Sequence, residues 1–222
     1  MDVLGLDGCR TGWIGIALRD GQFADAILAE RAAEVISAVP SAAAIAIDIP
    51  IGLPATGRRR ADELARRELG PRRSSVFAAP PRNVLMEAPY AAANALAKEI
   101  HGFGISKQSY MLRAKILEVD ELASVDRRIH EVHPELAFRT MANADLHSKK
   151  SYTGARERIR LLAAAGIVLP EDPGPAGTAA LDDILDAAAA AWVAHRIASG
   201  DAKPLPDPPD VDDTGLSMAI WY

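Results

Sequence analysis

Acidic side chains in four places could carry chemistry in this chain. Asp7 ends a short apolar run, in Gly5-Leu6-Asp7-Gly8. An Asp before Gly is also a common turn former, so Asp7 alone decides little. Asp48 closes the run Ala44-Ile45-Ala46-Ile47 and precedes Ile49-Pro-Ile-Gly-Leu-Pro54. A carboxylate at the carboxyl end of a fully buried strand sits where open α/β sheets bind ligands. Glu131-Val-His133-Pro-Glu135 sets two acids and an imidazole within five residues, a group able to ligate a metal or transfer protons. The plainer reading of that segment is a polar strand end. Asp182, Asp183 and Asp186 fall within an arc of roughly 100° on a helix, bordering the apolar stripe of Leu181, Leu185 and Trp192. Favourable charge at a helix N-terminus accounts for Asp182 and Asp183 better than for Asp186, which lies further along.

These acids are far apart in sequence, so the elements around them must bring them together. Val3 to Asp7, Gly12 to Leu18 and Gly21 to Leu28 read as strands. Asp20-Gly21 is a hairpin turn signal, and Asp7-Gly8 offers another. Glu30 to Val39 has the spacing of a short amphipathic helix stopped by Pro40, and Ala43 to Ile47 suits a strand buried on both faces. A hairpin meander followed by a helical crossover to a parallel strand makes a mixed sheet. Residues 55 to 127 read as helix and loop. Their helices are expected at 59–69, 89–100 and 106–122, as an insertion capping one end of the sheet. Residues 128 to 133 return as a strand stopped by Pro134, and 152 to 165 form a helix. A long alanine-rich helix spans 178 to 198, with Thr178 as N-cap and Gly200 past its end. Residues 203 to 210, with four prolines, read as an extended linker, and 216 to 222 as a final strand or packed tail. The expected organisation is one domain over 1–222, with the insertion at about 55–127 and a C-terminal tail at about 203–222.

Several motifs then resemble a known group. They are Gly5-Leu-Asp-Gly-Cys-Arg-Thr-Gly-Trp13, Ala46-Ile-Asp-Ile-Pro-Ile-Gly-Leu-Pro54, Arg59-Arg-Ala-Asp62, Ala65-Arg-Arg67 and Ser75-Val-Phe-Ala-Ala-Pro80. Gly104-Ile-Ser-Lys-Gln108, Glu131-Val-His-Pro-Glu-Leu-Ala-Phe138, Lys149-Lys150 and Asp182-Asp-Ile-Leu-Asp-Ala187 continue the series. In order from residue 3 to about 200, they resemble the domain of unknown function 429 family. That resemblance implies an α/β, ribonuclease H-like fold and a predicted nuclease activity. Asp183-Ile-Leu-Asp186-Ala187 also resembles the last-helix pattern of Holliday-junction resolvases in that superfamily, with Asp7 and Asp48 at the positions of their strand acids. Glu131 and Glu135 match that pattern less clearly.

The resulting expectation is phosphodiester hydrolysis with two Mg2+ or Mn2+ ions. Such hard cations suit clustered carboxylates, which would otherwise repel and protonate. Asp7 would bridge both ions, and Asp48, Asp183 and Asp186 would complete their shells, with Glu135 a further catalytic candidate. Glu131, His133 and Asp182 are secondary candidates. Arg59, Arg66, Lys149 and Lys150 would hold substrate phosphates. Between Thr56 and Arg82 eight arginines stand against three acids, a local charge of +5 in a chain of net charge -5. That segment is either a solvated helix face or an anion-binding patch.

The overall acidity counts mildly against coating nucleic acid non-specifically. With 222 residues, 49% hydrophobic, the chain can bury one sizeable core, built mainly from Val, Ile, Leu and Ala because aromatics are only 5%. Cys9 is the single cysteine, and no apolar stretch reaches the roughly 20 residues of a membrane span, so a cytoplasmic protein without membrane contact is expected. The partner expected is DNA or RNA, and a homodimer stays open. Two rivals remain. One is a nucleotide-binding or phosphotransfer protein of the actin-like and sugar-kinase branch, which shares the fold's core. The other is a non-catalytic binding protein that keeps the fold.

Overall fold

The computed structural model describes residues 1–222. Three strands come first, β1 (Asp2–Cys9), β2 (Gly12–Arg19) and β3 (Gln22–Ala29), then helix α1 (Ala32–Ala38) and strand β4 (Ile45–Ile47). Five helices follow: α2 (Arg60–Leu69), α3 (Arg82–Met86), α4 (Tyr90–His101), α5 (Lys107–Met111) and α6 (Arg113–Val125). Strand β5 (Ile129–Glu131) leads into α7 (Pro134–Ala142), α8 (Tyr152–Ala164) and α9 (Leu181–Ser199), before β6 (Pro204–Val211) and β7 (Ser217–Trp221). Met1–Ile49, Asp126–Lys203 and Trp221–Tyr222 form one compact unit, and Pro50–Val125 with Pro204–Ile220 form another.

The first unit is a five-stranded mixed sheet in the order β3-β2-β1-β4-β5. β1, β2 and β3 are an antiparallel meander, and β4 and β5 run parallel to β1. This is the expected α/β, ribonuclease H-like arrangement of meander plus parallel strands with flanking helices. The second hairpin turns at Asp20-Gly21, both at positive φ (51° and 79°), which a two-residue turn between twisted strands requires. The first hairpin turns at Arg10-Thr11 rather than at Asp7-Gly8. The antiparallel register runs on to Cys9 opposite Gly12, leaving Asp7 inside the strand opposite Ile14.

Helix α9 lies against β1, and small residues allow it. Ala187 to Ala191 are all fully buried. A Cβ at Gly5 would lie 2.0 Å from the Ala191 nitrogen and 2.4 Å from the Ala187 oxygen. Only glycine tolerates so close a backbone approach. The helix ends at Gly200, in the left-handed conformation (φ 78°), as its position predicts. Its start differs. Thr178 ends a short 3-10 turn and donates its hydroxyl to the Pro175 carbonyl at 2.8 Å, so α9 starts three residues later from Ala180 without a side-chain cap.

Three other elements depart from expectation. Pro134 does not merely end β5 but occupies the first turn of α7, where its missing N–H removes no helix bond. The four-proline stretch is strand β6, paired with β7 in a two-stranded sheet. Each strand of such a sheet has a free edge, where a proline nitrogen forfeits no ladder bond. The 106–122 helix is divided at Leu112 into α5 and α6, and nothing in the sequence marks the break.

The second unit is organised by partly buried ion pairs. Asp212 accepts the amides of Leu53, Thr214 and Leu216 at 3.0, 2.9 and 2.9 Å, and pairs with Arg82, which also pairs with Asp120. No helix of the chain is long and apolar enough to cross a membrane.

Candidate metal centre

Parallel register makes the first approach. Leu6 of β1 stands opposite Ile47 of β4, and the Asp48 amide donates to the Leu6 carbonyl at 3.0 Å. One residue further, Asp7, still within β1, and Asp48, just past the end of β4, come side by side. Alternation along the pleat puts both on the face where Gly5 and Ala46 meet α9. From α9, Asp186 precedes the alanine run and is only 2% exposed. Oxygens of Asp7, Asp48 and Asp186 all lie within 4.8 Å of one another.

That crowding is costly to ionise. Burial raises the Asp7 carboxyl well above its ordinary value, and the neighbouring Asp48, Asp186 and Asp183 carboxylates raise it further. Asp48 keeps some accessible surface, yet burial is again the largest influence and, with Asp186 beside it, lifts its pKa to about 8. Asp186 is pushed up to about 6 by burial, against the pull of Lys149. Its Oδ1 is buried without a hydrogen-bond partner. Three hard oxygen donors, two of them strongly reluctant to ionise and one with an orphaned oxygen, fit a divalent cation of the magnesium or manganese kind.

Lys149 reaches the same cluster. Its ammonium donates to Asp186 Oδ2 and lies 3.9 Å from Asp182. Burial works to lower its pKa, and the carboxylates of Asp186, Asp48 and Asp7 outweigh this and raise it. The segment carrying Lys149 is fixed at both ends by α8. Ser151 caps the helix by accepting the Gly154 amide at 3.1 Å, and Arg158 donates to the His147 carbonyl at 3.0 Å. Gly154 is needed for this approach, since a Cβ there would lie 2.0 Å from the Ser148 oxygen.

The remaining expected residues separate into neighbours and bystanders. Asp183 acts on Asp7 through its charge but stands outside the close trio. Asp182 pairs with Lys150, which is exposed. Glu135 lies in the first turn of α7 and accepts two bonds from the Arg158 guanidinium, at 2.7 and 2.9 Å. Glu131 stands level with Ile47, and pleat alternation turns it to the sheet face opposite Asp7 and Asp48. His133 is the residue from which α7 starts. Arg59 is 2% exposed and is occupied by Asp62 and by the Ile51 and Gly52 carbonyls at 3.0 and 3.2 Å. Arg66 donates to the Val76 carbonyl. Both arginines therefore brace their own unit, and the phosphate-holding role expected of them has no free donor fork behind it in Arg59.

Arg158 belongs to none of the motifs that single out the site in the sequence. It is completely buried, holding Glu135 on one side and the Lys149 segment on the other. Its position carried a signal: Gly154, Arg158 and Leu162 repeat every four residues along the buried stripe of α8. An arginine on such a stripe needs a buried acid.

Fold and site together define an α/β protein whose parallel strand ends and last helix present a buried carboxylate trio. The chain belongs to the family described as "Protein of unknown function (DUF429)", whose model matches residues 5–211. No curated protein and no solved structure matches it.

Proposed function

We propose that this protein is a divalent-cation-dependent nuclease, hydrolysing phosphodiester bonds of DNA or RNA. The observation that carries the reading is the trio itself: three carboxylates from three separate elements within 4.8 Å, one with a buried, unpartnered oxygen. Asp7, Asp48 and Asp186 would hold Mg2+ or Mn2+, with Asp183 contributing charge beside Asp7. When bound, such ions supply a water of lowered pKa and neutralise charge developing at phosphorus. The chain's own part is to fix the ligand oxygens. Register holds Asp7 against Asp48, and the close packing of α9 on Gly5 holds Asp186 over them. Glu135 and Arg158 brace the Lys149 segment beside the trio. The reading includes a cytoplasmic location, supported by a lone cysteine with no second thiol in the chain.

The test is cleavage of labelled single-stranded, duplex and branched DNA and RNA by the purified protein with Mn2+ or Mg2+. Cation-dependent cleavage that is lost in Asp7→Asn and Asp48→Asn is expected. Cleavage surviving both substitutions would sink the reading. Tight ATP binding with no cleavage of any nucleic acid would transfer the fold to phosphotransfer chemistry instead.

A further inference from the structure

Lys149 was expected to meet substrate phosphates, yet its ammonium is already on Asp186, inside the carboxylate trio. Its position is not that of a wandering surface lysine. The preceding residues are held by Arg158 at the His147 carbonyl and by Glu157, which takes the His147 ring at Nδ1 at 2.6 Å. Two residues after Lys149, Ser151 caps α8. Lys150, the next residue, diverges to Asp182 and is 73% exposed in its side chain, against 32% for Lys149. Two adjacent lysines thus take different acids of α9, and only the first enters the buried set.

We infer that Lys149 is a built-in counter-cation that competes with the divalent ion for Asp186. This rests on the proposed cation site and adds a device to it. Without the divalent ion, the ammonium neutralises part of a trio whose charges would otherwise repel. On binding, the divalent ion takes the Asp186 oxygens, and the ammonium is displaced from Oδ2 toward solvent, within reach of an arriving phosphate. Exchange of one cation for another keeps the net charge of the buried site from swinging widely. It also makes metal affinity lower than the three carboxylates alone would give.

Mn2+ binding to the intact protein, by calorimetry without nucleic acid, tests this together with thermal melts in EDTA. Lys149→Gln is expected to bind Mn2+ about tenfold more tightly or better, because one like charge within a few ångströms has gone. Its melting temperature in EDTA is expected to fall. Lys150→Gln, which removes a charge only from Asp182, should leave Mn2+ affinity within about twofold. A second measurement needs no variant. An amine-reactive label followed by mass spectrometry should modify Lys149 of the wild-type protein slowly in EDTA and several-fold faster in saturating Mg2+. Wild-type binding of Mn2+ with equal or weaker binding by Lys149→Gln, or Lys149 labelling unmoved by bound Mg2+, overturns the competition and leaves the cation site standing. No binding of Mn2+ by either protein overturns both. Binding by Lys149→Gln alone supports the competition in its strongest form.

Discussion

Asp48 and Asp186 show how much a fold gives up to place charge where it is useful. Each sits in surroundings that favour its neutral form. Substituting the amide should therefore stabilise the metal-free protein. Asp48→Asn is expected to raise stability in EDTA by on the order of 2 kcal/mol near pH 8 and to remove the stabilisation given by Mn2+, both read from melting curves. A variant less stable than wild type would show that the carboxylate is structurally required. Arg158 behaves oppositely. It is fully buried, and Glu135 is nearly so. Arg158→Met strands the Glu135 charge and should cost about 3–5 kcal/mol. It should also loosen the Lys149 segment, since the His147 carbonyl loses its donor. Loss below about 1 kcal/mol in a denaturant titration would place the pair in solvent rather than in the interior.

Element packing decides whether short aspartates can meet at all. An Asp side chain spans only a few ångströms, so α9 must ride unusually close to β1, and Gly5 with the alanine run provides that closeness. Gly5→Ala places a methyl 2.0 Å from the Ala191 nitrogen, which only movement of the helix can relieve. The expected result is destabilisation of about 1–3 kcal/mol, together with weakened Mn2+ binding because Asp186 moves with its helix. Unchanged Mn2+ affinity in a folded Gly5→Ala protein would contradict the role given to this contact. The same elements show what could be read in advance. The meander, the buried strand before Asp48 and the long alanine helix were legible because apolar period and turn residues agree there. Asp7, Asp48 and Asp186 were legible because each ends or borders such an element. Helix α7 was not, since Pro134 reads as a stop and as a first-turn residue equally well. Strand β6 was hidden by its prolines, which a single-partner strand tolerates. Glu131 falls in its strand as expected, but the direction it faces was not legible: that depends on pleat parity, and parity depends on a register that no local motif records.

For the molecule as a whole, these buried acids set how stability answers to pH. Asp48 titrates at about 8 and Asp186 at about 6 in the folded chain, against an ordinary 3.8. Between the ordinary and folded values, the folded form binds more protons than the unfolded form. Their stabilising contribution is therefore complete below about pH 4 and is lost as pH rises through 6 and then 8. Asp2, Asp126, Asp182 and Asp212 are lowered, so their contribution is present above about pH 4 and lost only below it. Across roughly pH 5 to 8 the three raised carboxyls are opposed by His130, whose pKa burial lowers and which adds stability as pH rises toward 6.5; three groups outweigh one, and melting temperature in EDTA should decline with rising pH, most clearly above 6.5. A divalent cation would bind the ionised carboxylates, so its affinity should increase over the same range. Melts in Mg2+ should consequently flatten or rise where those in EDTA fall, and the gap between the two curves should widen toward pH 8. Asp48→Asn should make the EDTA decline shallower, most visibly from about 6 to 8, and leave the parts belonging to Asp186 and to the raised Asp7 carboxyl. An EDTA curve that climbs steadily from pH 5 to 8 would mean that the trio is fully ionised without any divalent ion, and the need for one would vanish with it.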